Sequence, residues 1–410
     1  MIGARESERA AGPGRPSQVV LLGLITGCLM LQPLSTDLYL ASLPHLSTYF
    51  DVSPAAVQQT LSLFVIGFGT AQLIIGPLSD RYGRRPVLLA GFGTYVVASI
   101  ACALADSMTA LIAARFCQAV GCCSAVVIAR AIIRDVYSPS EGARVIAQAS
   151  SLLSAAPILG PIAGGYLQVA FGWRAAFVVL TCLALALCLA ASLKLDETNR
   201  HQNPDATRVA GLARIYGDIL RSPGFWAYAA PGSLSYAAIF VFISGSSFVL
   251  INVLTVPTQY FGYCFAFGVL GYLAGTLVCR RLLGVIGIER ALSLGTALSA
   301  AAGVVFATLV VLRAHHWAIV LGCMFLTMFA HGINFPCTQS GAVAPFPRQA
   351  GAAAGLFGFF IAFAALVSGT WIGVSHDGTL FPIAFTSASV GLMVWVAGWV
   401  FSRHRTQPAT

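Results

Sequence analysis

Charged residues are scarce in this sequence. Of its 410 residues only 9% are Asp, Glu, Lys or Arg, whereas 58% are hydrophobic, and the mean hydropathy is +0.83. A soluble domain carries about 25% charged residues, so this composition excludes a soluble globular protein and indicates an integral membrane protein. Alternating ten-residue segments are missing as well, which excludes an outer-membrane barrel. The membrane spans are therefore expected to be helices.

The sequence also lacks the patterns of a metal or nucleic-acid site. It has eleven cysteines, most of them inside apolar runs, and no CxxC or Cys/His ligand spacing. Cysteines so placed are small packing residues, so we expect no metal and no cofactor. The net charge of +9 comes from basic residues in short loops between apolar segments, which report membrane topology. No nucleic-acid partner is expected.

Apolar runs of about 18 or more residues recur along the chain, each long enough to cross about 30 Å of hydrocarbon as a helix. They predict an all-α integral membrane protein with twelve transmembrane helices in two six-helix halves. We expect a tail at 1–17, a first half at 18–193, a linker at 194–222, a second half at 223–401 and a tail at 402–410. The predicted helices are approximately 18–46, 57–78, 86–105, 109–134, 143–171, 174–193, 223–250, 259–283, 289–312, 317–337, 351–375 and 382–401.

Basic residues in the loops orient the predicted bundle. The tails and the loops after helices 2, 4, 6, 8 and 10 hold nineteen of the 23 Lys and Arg residues, and the opposite loops hold only Arg174 and Arg313. Since Lys and Arg accumulate on the cytoplasmic side, both termini are expected there. The two halves also share a faint repeat, in which Gly76 and Arg81 match Gly275 and Arg280 in spacing. Two like-oriented halves are typical of a rocking transporter with its site near the bilayer midplane.

Asp37 is the acidic residue that has long apolar sequence on both sides, within the run LQPLSTDLYLASLP. An ionised carboxylate at mid-bilayer costs about 2.5–3.5 kcal/mol on insertion scales, so an isolated one indicates function. The alternative is an Asp that caps a short helix at the outer surface. In predicted helix 4, Arg115 lies at a depth comparable to that of Asp37, where it either stabilises the carboxylate or reaches the outer headgroups.

The loop after predicted helix 2 reads GPLSDRYGRRP. It resembles the signature GxLaDRxGRR of the major facilitator superfamily, whose members are transporters and not enzymes. The resemblance implies a gating latch in which Asp80 meets the start of helix 11 and Arg84 or Arg85 pairs with Asp135. These contacts would hold the halves together in the outward-facing state. The signature residues in this chain are Gly76, Asp80, Arg81, Gly83, Arg84 and Arg85.

Two further motifs resemble those of drug/proton exchangers in this superfamily. The stretch RFCQAVG from Arg115 is similar to the proton-linked motif RxxQGxG, with Ala119 in place of a glycine. Predicted helix 5 is similar to the antiporter signature GPxxGG, and its prolines and glycines predict a bent, closely packed helix. The residues of this antiporter kink are Pro157, Gly160, Pro161, Gly164 and Gly165.

With the TDLYLxxLP pattern around Asp37, these motifs resemble the Bcr/CflA drug exporters. The resemblance implies proton-coupled efflux of small, moderately apolar compounds such as chloramphenicol or bicyclomycin across a bacterial inner membrane, by a chain that works as a monomer. An importer or exporter of an endogenous metabolite on the same fold stays open. For the substrate pocket we expect Tyr39, Tyr236, Phe240, His331 and Asn334, and His331 is either a satisfied interior histidine or a second proton site.

Overall fold

The structure of the chain is a computed structural model that describes residues 18–138, 141–142, 144–145, 148–149, 153, 155–199, 202–313 and 316–404. Every regular element in these ranges is helical, which confirms the all-α prediction. The predicted tail 1–17 and residues 405–410 lie outside the described residues. In chain order the α-helices are α1 Gln18–Asp37, α2 Leu43–Phe50, α3 Pro54–Tyr82, α4 Arg84–Ala103, α5 Met108–Val136, α6 Ala156–Phe171, α7 Arg174–Lys194, α8 Val209–Leu220, α9 Pro223–Ser247, α10 Thr258–Val311, α11 Trp317–Val343, α12 Ala350–Ser375 and α13 Phe381–Val400.

Twelve spans can be counted in the described part of the chain. Ten helical segments are long and apolar enough to cross a membrane. One of them, α10, has 54 residues and a non-helical backbone at Gly287, so it supplies two spans. The shorter apolar helix α6 is the described part of the predicted fifth span. The fold class is therefore confirmed, with differences from prediction at the ends of the helices and inside the first span.

The spans alternate between two sides of the molecule. We call the linker side the one that holds the α3–α4 turn, residues 195–199 and 202–222, and Gly287. The far side is the one that holds the α2–α3, α4–α5 and α6–α7 turns. Helix α8 lies within the predicted linker, and it buries Ile219. Side-chain hydrogen bonds join the halves on the far side, between His45 and Thr258 (3.1 Å) and between Tyr166 and Tyr263 (3.2 Å).

The first span is broken immediately after Asp37, where a continuous helix was predicted. Helix α1 ends at this residue, a short 3-10 turn covers Leu40–Ser42, and α2 begins at Leu43. Pro44 stands in the first turn of α2, where its missing N–H costs nothing. Hydroxyl groups near the end of α1 bond back to carbonyls one turn earlier, as Thr36 does to Pro33 (2.9 Å). The break makes Asp37 a helix-terminal residue.

Helix α6 packs directly on this break because its glycines have no side chain. A β-carbon on Gly160 would lie 3.0 Å from Cβ of Asp37, and one on Gly164 would overlap the carbonyl oxygen of Leu38. On another face, a β-carbon on Gly165 would lie 3.0 Å from the carbonyl oxygen of Thr258 in the second half. Close helix contact through small residues is a common way of packing membrane helices. Helix α6 thus holds the Asp37 segment on one side and α10 on the other.

The contact of α6 with the first span predicts the effect of Gly164→Ala. The added methyl group must displace the backbone of Leu38, and such overpacking costs about 1–3 kcal/mol. We expect a lower midpoint of thermal unfolding in detergent. The matched control is Gly93→Ala in α4, where a β-carbon has no neighbour within 4 Å. Equal midpoints for the two variants would contradict the close packing of α6 on the break.

Candidate functional site

Asp37 is buried between the two halves and lies at the broken end of α1. Its side chain is part of a residue only 6% exposed, and the hydrogen bond that the structure gives its carboxylate comes from the hydroxyl of Thr36 (2.9 Å). That hydroxyl also bonds to Pro33, so it is shared between two acceptors. Tyr236 of the second half lies within electrostatic range of Asp37. The carboxylate is therefore poorly satisfied when ionised, because charges buried in apolar surroundings need partners.

Arg115 belongs to the same region but is not paired with Asp37. Among the ion pairs of the described residues none joins these two groups. The guanidinium donates to the carbonyl oxygen of Ser35 (3.0 Å) and to Oε1 of Gln118 (2.6 Å). It is fully buried, so the alternative in which it reaches outer headgroups is wrong. Arg115 thus bonds the backbone of α1 two residues before Asp37.

Aromatic rings supply the remaining surroundings of Arg115. Its guanidinium carbon lies 4.2 Å from the ring centre of Phe64, 5.1 Å from that of Tyr39 and 5.8 Å from that of Phe177. Cation–π contacts of this kind stabilise a desolvated cation by about 2 kcal/mol. Two of its nitrogens, Nε and Nη2, have no hydrogen-bond partner among the described residues. The site therefore holds a buried positive charge and a buried carboxyl group in one half without joining them.

A polar network that the sequence did not predict completes the first-half site. The hydroxyl groups of Ser35 and Tyr95 lie 2.6 Å apart, and Gln118 donates to the hydroxyl of Ser99 (2.8 Å). All four residues are buried. The network ties α1, α4 and α5 together next to Asp37. A weak signal was present at Ser99, a polar residue that stands alone within an apolar run.

The expected pocket residues divide between the halves: Tyr236 and Phe240 lie in the second half, and Tyr39 lies in the first. Tyr236 is half-buried, stacks on Phe240 at 6.2 Å between ring centres and meets the ring of His331 at 5.9 Å. Tyr39 instead lies inside the first half, fully buried, with its hydroxyl 2.8 Å from that of Thr60. Tyr236, facing Asp37 from the second half, is therefore the best placed of these residues to contact a substrate.

His331 and Asn334 lie in the interior of the second half. Nδ1 of His331 is 2.9 Å from the hydroxyl of Ser235. Asn334 donates to the same hydroxyl (3.2 Å) and to that of Ser299 (3.1 Å). The environment of His331 is that of a hydrogen-bonded interior histidine, and both residues stay predictions as substrate contacts.

The prolines of the predicted antiporter kink stand at the start and within the first turns of α6. Pro157 occupies the first turn, where a missing N–H is tolerated, and Pro161 lies inside the helix. Their role as a kink stays a prediction, since residues 143–155 are described only in part. What the structure adds is the close approach of Gly160, Gly164 and Gly165 to neighbouring backbone.

The signature loop forms its ion pairs around Arg84. Nη1 of Arg84 lies 2.6 Å from the carboxylate of Asp80, and Nε lies 2.9 Å from that of Asp135. Nη1 also donates to the hydroxyl of Ser79 (2.7 Å). Of the two arginines considered for Asp135, Arg84 makes the pair. Both ion pairs lie within the first half, and the described residues include no hydrogen bond between Asp80 and α12.

Gly83 and the predicted linker complete the loop. Gly83 has a φ of +99°, which favours glycine, and a side chain there would overlap the carboxylate of Glu197. That carboxylate accepts the backbone N–H groups of Arg84 (2.8 Å) and Arg85 (3.0 Å), so it caps the start of α4. Asn199 bonds the carbonyl oxygens of Ser79 and Asp80. The sequence did not predict these contacts.

Two members of the signature are less enclosed. Arg81 donates to the hydroxyl of Thr207 and is exposed. At Gly76, a β-carbon would have no neighbour within 4 Å, so this glycine is not in close contact with another helix. Arg85 bonds the carbonyl oxygen of Ser192 (2.8 Å) through Nη2. The loop and the linker are thus bound to the first half at several points.

The arrangement around Arg84 predicts that Arg84→Lys destabilises the protein. A lysine has one point charge and cannot span Asp80 and Asp135 as the fork of arginine does, so at least one charge-assisted hydrogen bond, about 1.5–3 kcal/mol, is lost. We expect a lower unfolding midpoint in detergent. Arg81→Lys is the control, because Arg81 is exposed and has a neutral partner. A midpoint for Arg84→Lys that equals that of the control would refute the bridging role.

Comparison with known proteins places this site in a transporter family. Residues 25–369 match the family model of the Major Facilitator Superfamily. A bicyclomycin resistance protein homolog of Haemophilus influenzae is 27% identical over 94% of this chain and 96% of its own length. The multidrug resistance protein MdtL of Shigella dysenteriae is 26% identical over 80% of this chain and 82% of its own length.

Solved structures show the same fold. A bacterial homolog of the human lysosomal transporter Spinster, in an inward-facing and occupied conformation, matches with a TM-score of 0.72 at 14% identity, over 95% of this chain and 97% of that one. The human organic anion transporter MFSD10 matches with a TM-score of 0.67 at 20% identity, over 94% and 100%. Since the family model spans most of the residues, this multi-pass membrane protein is a transporter of small molecules and not an enzyme, and it belongs to the major facilitator superfamily.

Proposed function

We propose that this transporter exports small, moderately apolar drugs in exchange for protons. The observation that carries the proposal is the buried carboxyl group of Asp37, which lies between the halves, has no cationic partner among the described residues and is within electrostatic range of Tyr236 in the second half. A carboxyl group so placed is stable when neutral and needs a compensating partner when charged. Binding of a substrate next to it then competes with binding of a proton.

The exchange follows from this competition in an alternating-access cycle. On the side with the higher proton concentration, Asp37 takes up a proton and the substrate leaves. On the other side, a substrate that contacts Asp37 and Tyr236 favours loss of the proton. Arg115 holds the end of α1 through the carbonyl oxygen of Ser35, so the carboxyl group keeps its position in both forms. The rigid halves then rock about the packed contacts between α6 and α10.

Drugs are the proposed substrate class. Two of the relatives are named for resistance to bicyclomycin and to multiple drugs, at 26–27% identity. The half-buried Tyr236 offers an aromatic ring with one hydroxyl group, and the buried Phe240 stacks behind it, which suits varied, moderately apolar compounds. A transporter of an endogenous metabolite is the second candidate, since the fold does not fix the substrate.

The chain is proposed to work as a monomer in the inner membrane of a bacterium, with both termini in the cytoplasm. The bacterial relatives and the basic residues on the linker side support this placement. The latch at Asp80, Arg84 and Asp135 is proposed to take part in gating from that side.

Asp37→Asn tests the proposed coupling. Asparagine keeps the shape of the side chain and removes titration, so we expect substrate binding to persist while accumulation driven by a proton gradient is lost. The measurement is uptake of labelled chloramphenicol, or of a fluorescent dye, by inverted vesicles under an imposed proton gradient, together with proton release. Asp51→Asn is the matched control, because Asp51 is exposed and its left-handed backbone (φ 51°) is one that asparagine tolerates.

The outcomes separate the candidates. Loss of accumulation in Asp37→Asn alone supports the exchanger. If Asp37→Asn accumulates substrate as well as the wild type does, coupling at this residue is refuted. If neither protein moves any drug, the metabolite transporter becomes the better explanation.

Arg115→Lys tests the holding role of the buried arginine. Lysine keeps the charge but cannot bond Ser35 and Gln118 while it stacks on Phe64 as a planar guanidinium does. We expect the rate of exchange to fall by about tenfold or more, as a loss of about 1.4 kcal/mol implies. Arg134→Lys in the same helix is the control, because Arg134 is exposed. A normal exchange rate in Arg115→Lys would show that charge alone suffices.

A further inference from the structure

His331 lies near the middle of α11, next to the aromatic residue that the proposed function uses. Its ring centre is 5.9 Å from that of Tyr236, which in turn is within electrostatic range of Asp37. Transporters built from two such halves bind their substrates near the bilayer midplane, where the halves meet. The proposed exchange uses Asp37 and Tyr236 but gives no task to His331.

The direction of the hydrogen bonds behind His331 can be followed from one end of the network. The hydroxyl of Ser299 donates to the carbonyl oxygen of Gly295 (3.1 Å), so its oxygen accepts from Asn334 (3.1 Å). The NH₂ group of Asn334 therefore points toward Ser299. The second N–H of that group donates to the hydroxyl oxygen of Ser235 (3.2 Å). Ser235 keeps its own hydrogen for another acceptor.

Nδ1 of His331 is that acceptor. It lies 2.9 Å from the hydroxyl of Ser235, and no other acceptor for this hydroxyl is present among the described residues. Ser235 is buried, where an O–H group without an acceptor is unfavourable. A neutral imidazole that accepts at Nδ1 carries its hydrogen at Nε2. An imidazolium would have no carboxylate partner in the described part of the chain, so the ring is held as the neutral Nε2–H tautomer.

The Nε2–H group of His331 is unpartnered and accessible. The described residues give it no hydrogen bond, yet Nε2 is not among the side-chain atoms that are both unpartnered and sealed from water, as Oδ1 of Asn334 is. It is therefore within reach of a molecule in the space next to Tyr236. Aromatic rings surround the rest of the imidazole, since the ring centres of Tyr236, Tyr272 and Phe335 lie 5.9, 5.9 and 5.3 Å away. An aromatic wall thus presents a single N–H donor.

We propose that His331 is a specificity-determining residue of the drug site, which donates from Nε2 to an acceptor oxygen of the substrate, such as a carbonyl, nitro or sulfonyl oxygen. This inference rests on the proposed function, which supplies the site between the halves. A substrate without an acceptor would leave the N–H group unpaired, and sites with such groups discriminate strongly. With the carboxyl group of Asp37 in the first half, the site favours compounds that carry a donor and an acceptor at separate positions.

The first measurement needs no drug. ¹⁵N NMR of the purified full-length chain, labelled at its histidines, reports which ring nitrogen carries a proton. The chain has seven histidines, and the signals of His331 are those that are missing from His331→Gln. We expect a protonated Nε2 and an unprotonated Nδ1 at neutral pH. A proton at Nδ1, or at both nitrogens, would overturn the inference.

The second measurement is equilibrium binding of labelled chloramphenicol, whose nitro and amide groups offer acceptor oxygens, to the full-length chain in detergent without a proton gradient. His331→Phe keeps an aromatic ring and removes the donor, so we expect the dissociation constant to rise by about tenfold or more. His331→Gln places an amide N–H close to the position of Nε2, so it should restore most of the affinity. His316→Phe is the control, because His316 is exposed at the N-cap of α11, and its affinity should stay within about twofold of that of the wild type.

Thermal unfolding checks that each variant is folded. If His331→Phe is not, the double variant Ser235→Ala/His331→Phe replaces it, because it leaves no unpaired hydroxyl at position 235. Equal affinities of His331→Phe and the wild type would overturn this inference and leave the proposed exporter intact. An equal loss of affinity in His331→Phe and His331→Gln would show that the ring and not the donor matters, which also overturns it. A wild type that binds no drug would contradict the proposed function itself, and the substrate assigned to His331 with it.

Discussion

The cost of a carboxyl group between two apolar half-bundles is the constraint on which the rest of the site depends. Asp37 is stable there as a neutral acid, but the shared hydroxyl of Thr36 is the only partner that the described residues offer to the anion. The nearby cation, Arg115, is bound to Ser35 and Gln118 and sits among aromatic rings, so it does not neutralise the carboxylate by an ion pair. In this arrangement, either a proton neutralises Asp37 or a substrate provides the partner that the ionised carboxylate lacks.

The glycines of α6 connect the site at Asp37 to the interface between the two halves. Helix α6 approaches the backbone next to Asp37 through Gly160 and Gly164, and it approaches α10 of the second half through Gly165. One helix thus contacts the carboxyl-bearing segment and the opposite half. Packed interfaces tend to have discrete arrangements. A change at Asp37 that moves the break in the first span would therefore alter the packing between the two halves.

Much of the fold could be predicted from the sequence because a membrane span needs about 20 apolar residues, and such runs are separated here by polar turns. The break at Gly287, for example, falls in the gap between two predicted helices. Asp37 was identified as an isolated acid in an apolar run. The break that follows it was not predicted, because hydropathy carries no information about backbone hydrogen bonds. The change of chain direction there takes Tyr39 into the first half and away from Tyr236.

Sequence patterns could not predict contacts between residues that are far apart in the chain. Glu197 was one acidic residue in a polar linker, and only the tertiary structure brings it to the N–H groups of Arg84 and Arg85. The loop motif gave the candidates for the latch, yet the choice of Arg84 as the partner of Asp135 depends on side-chain geometry.

Infrared difference spectroscopy of the purified chain, with and without a bound drug, tests the central claim most directly. If a proton and the substrate compete at Asp37, drug binding must remove a protonated-carboxyl band from the wild-type spectrum. The same band must be missing from the difference spectrum of Asp37→Asn and present in that of Asp51→Asn. A drug that binds without changing any carboxyl band, or one that changes the same band in Asp37→Asn, would contradict the account.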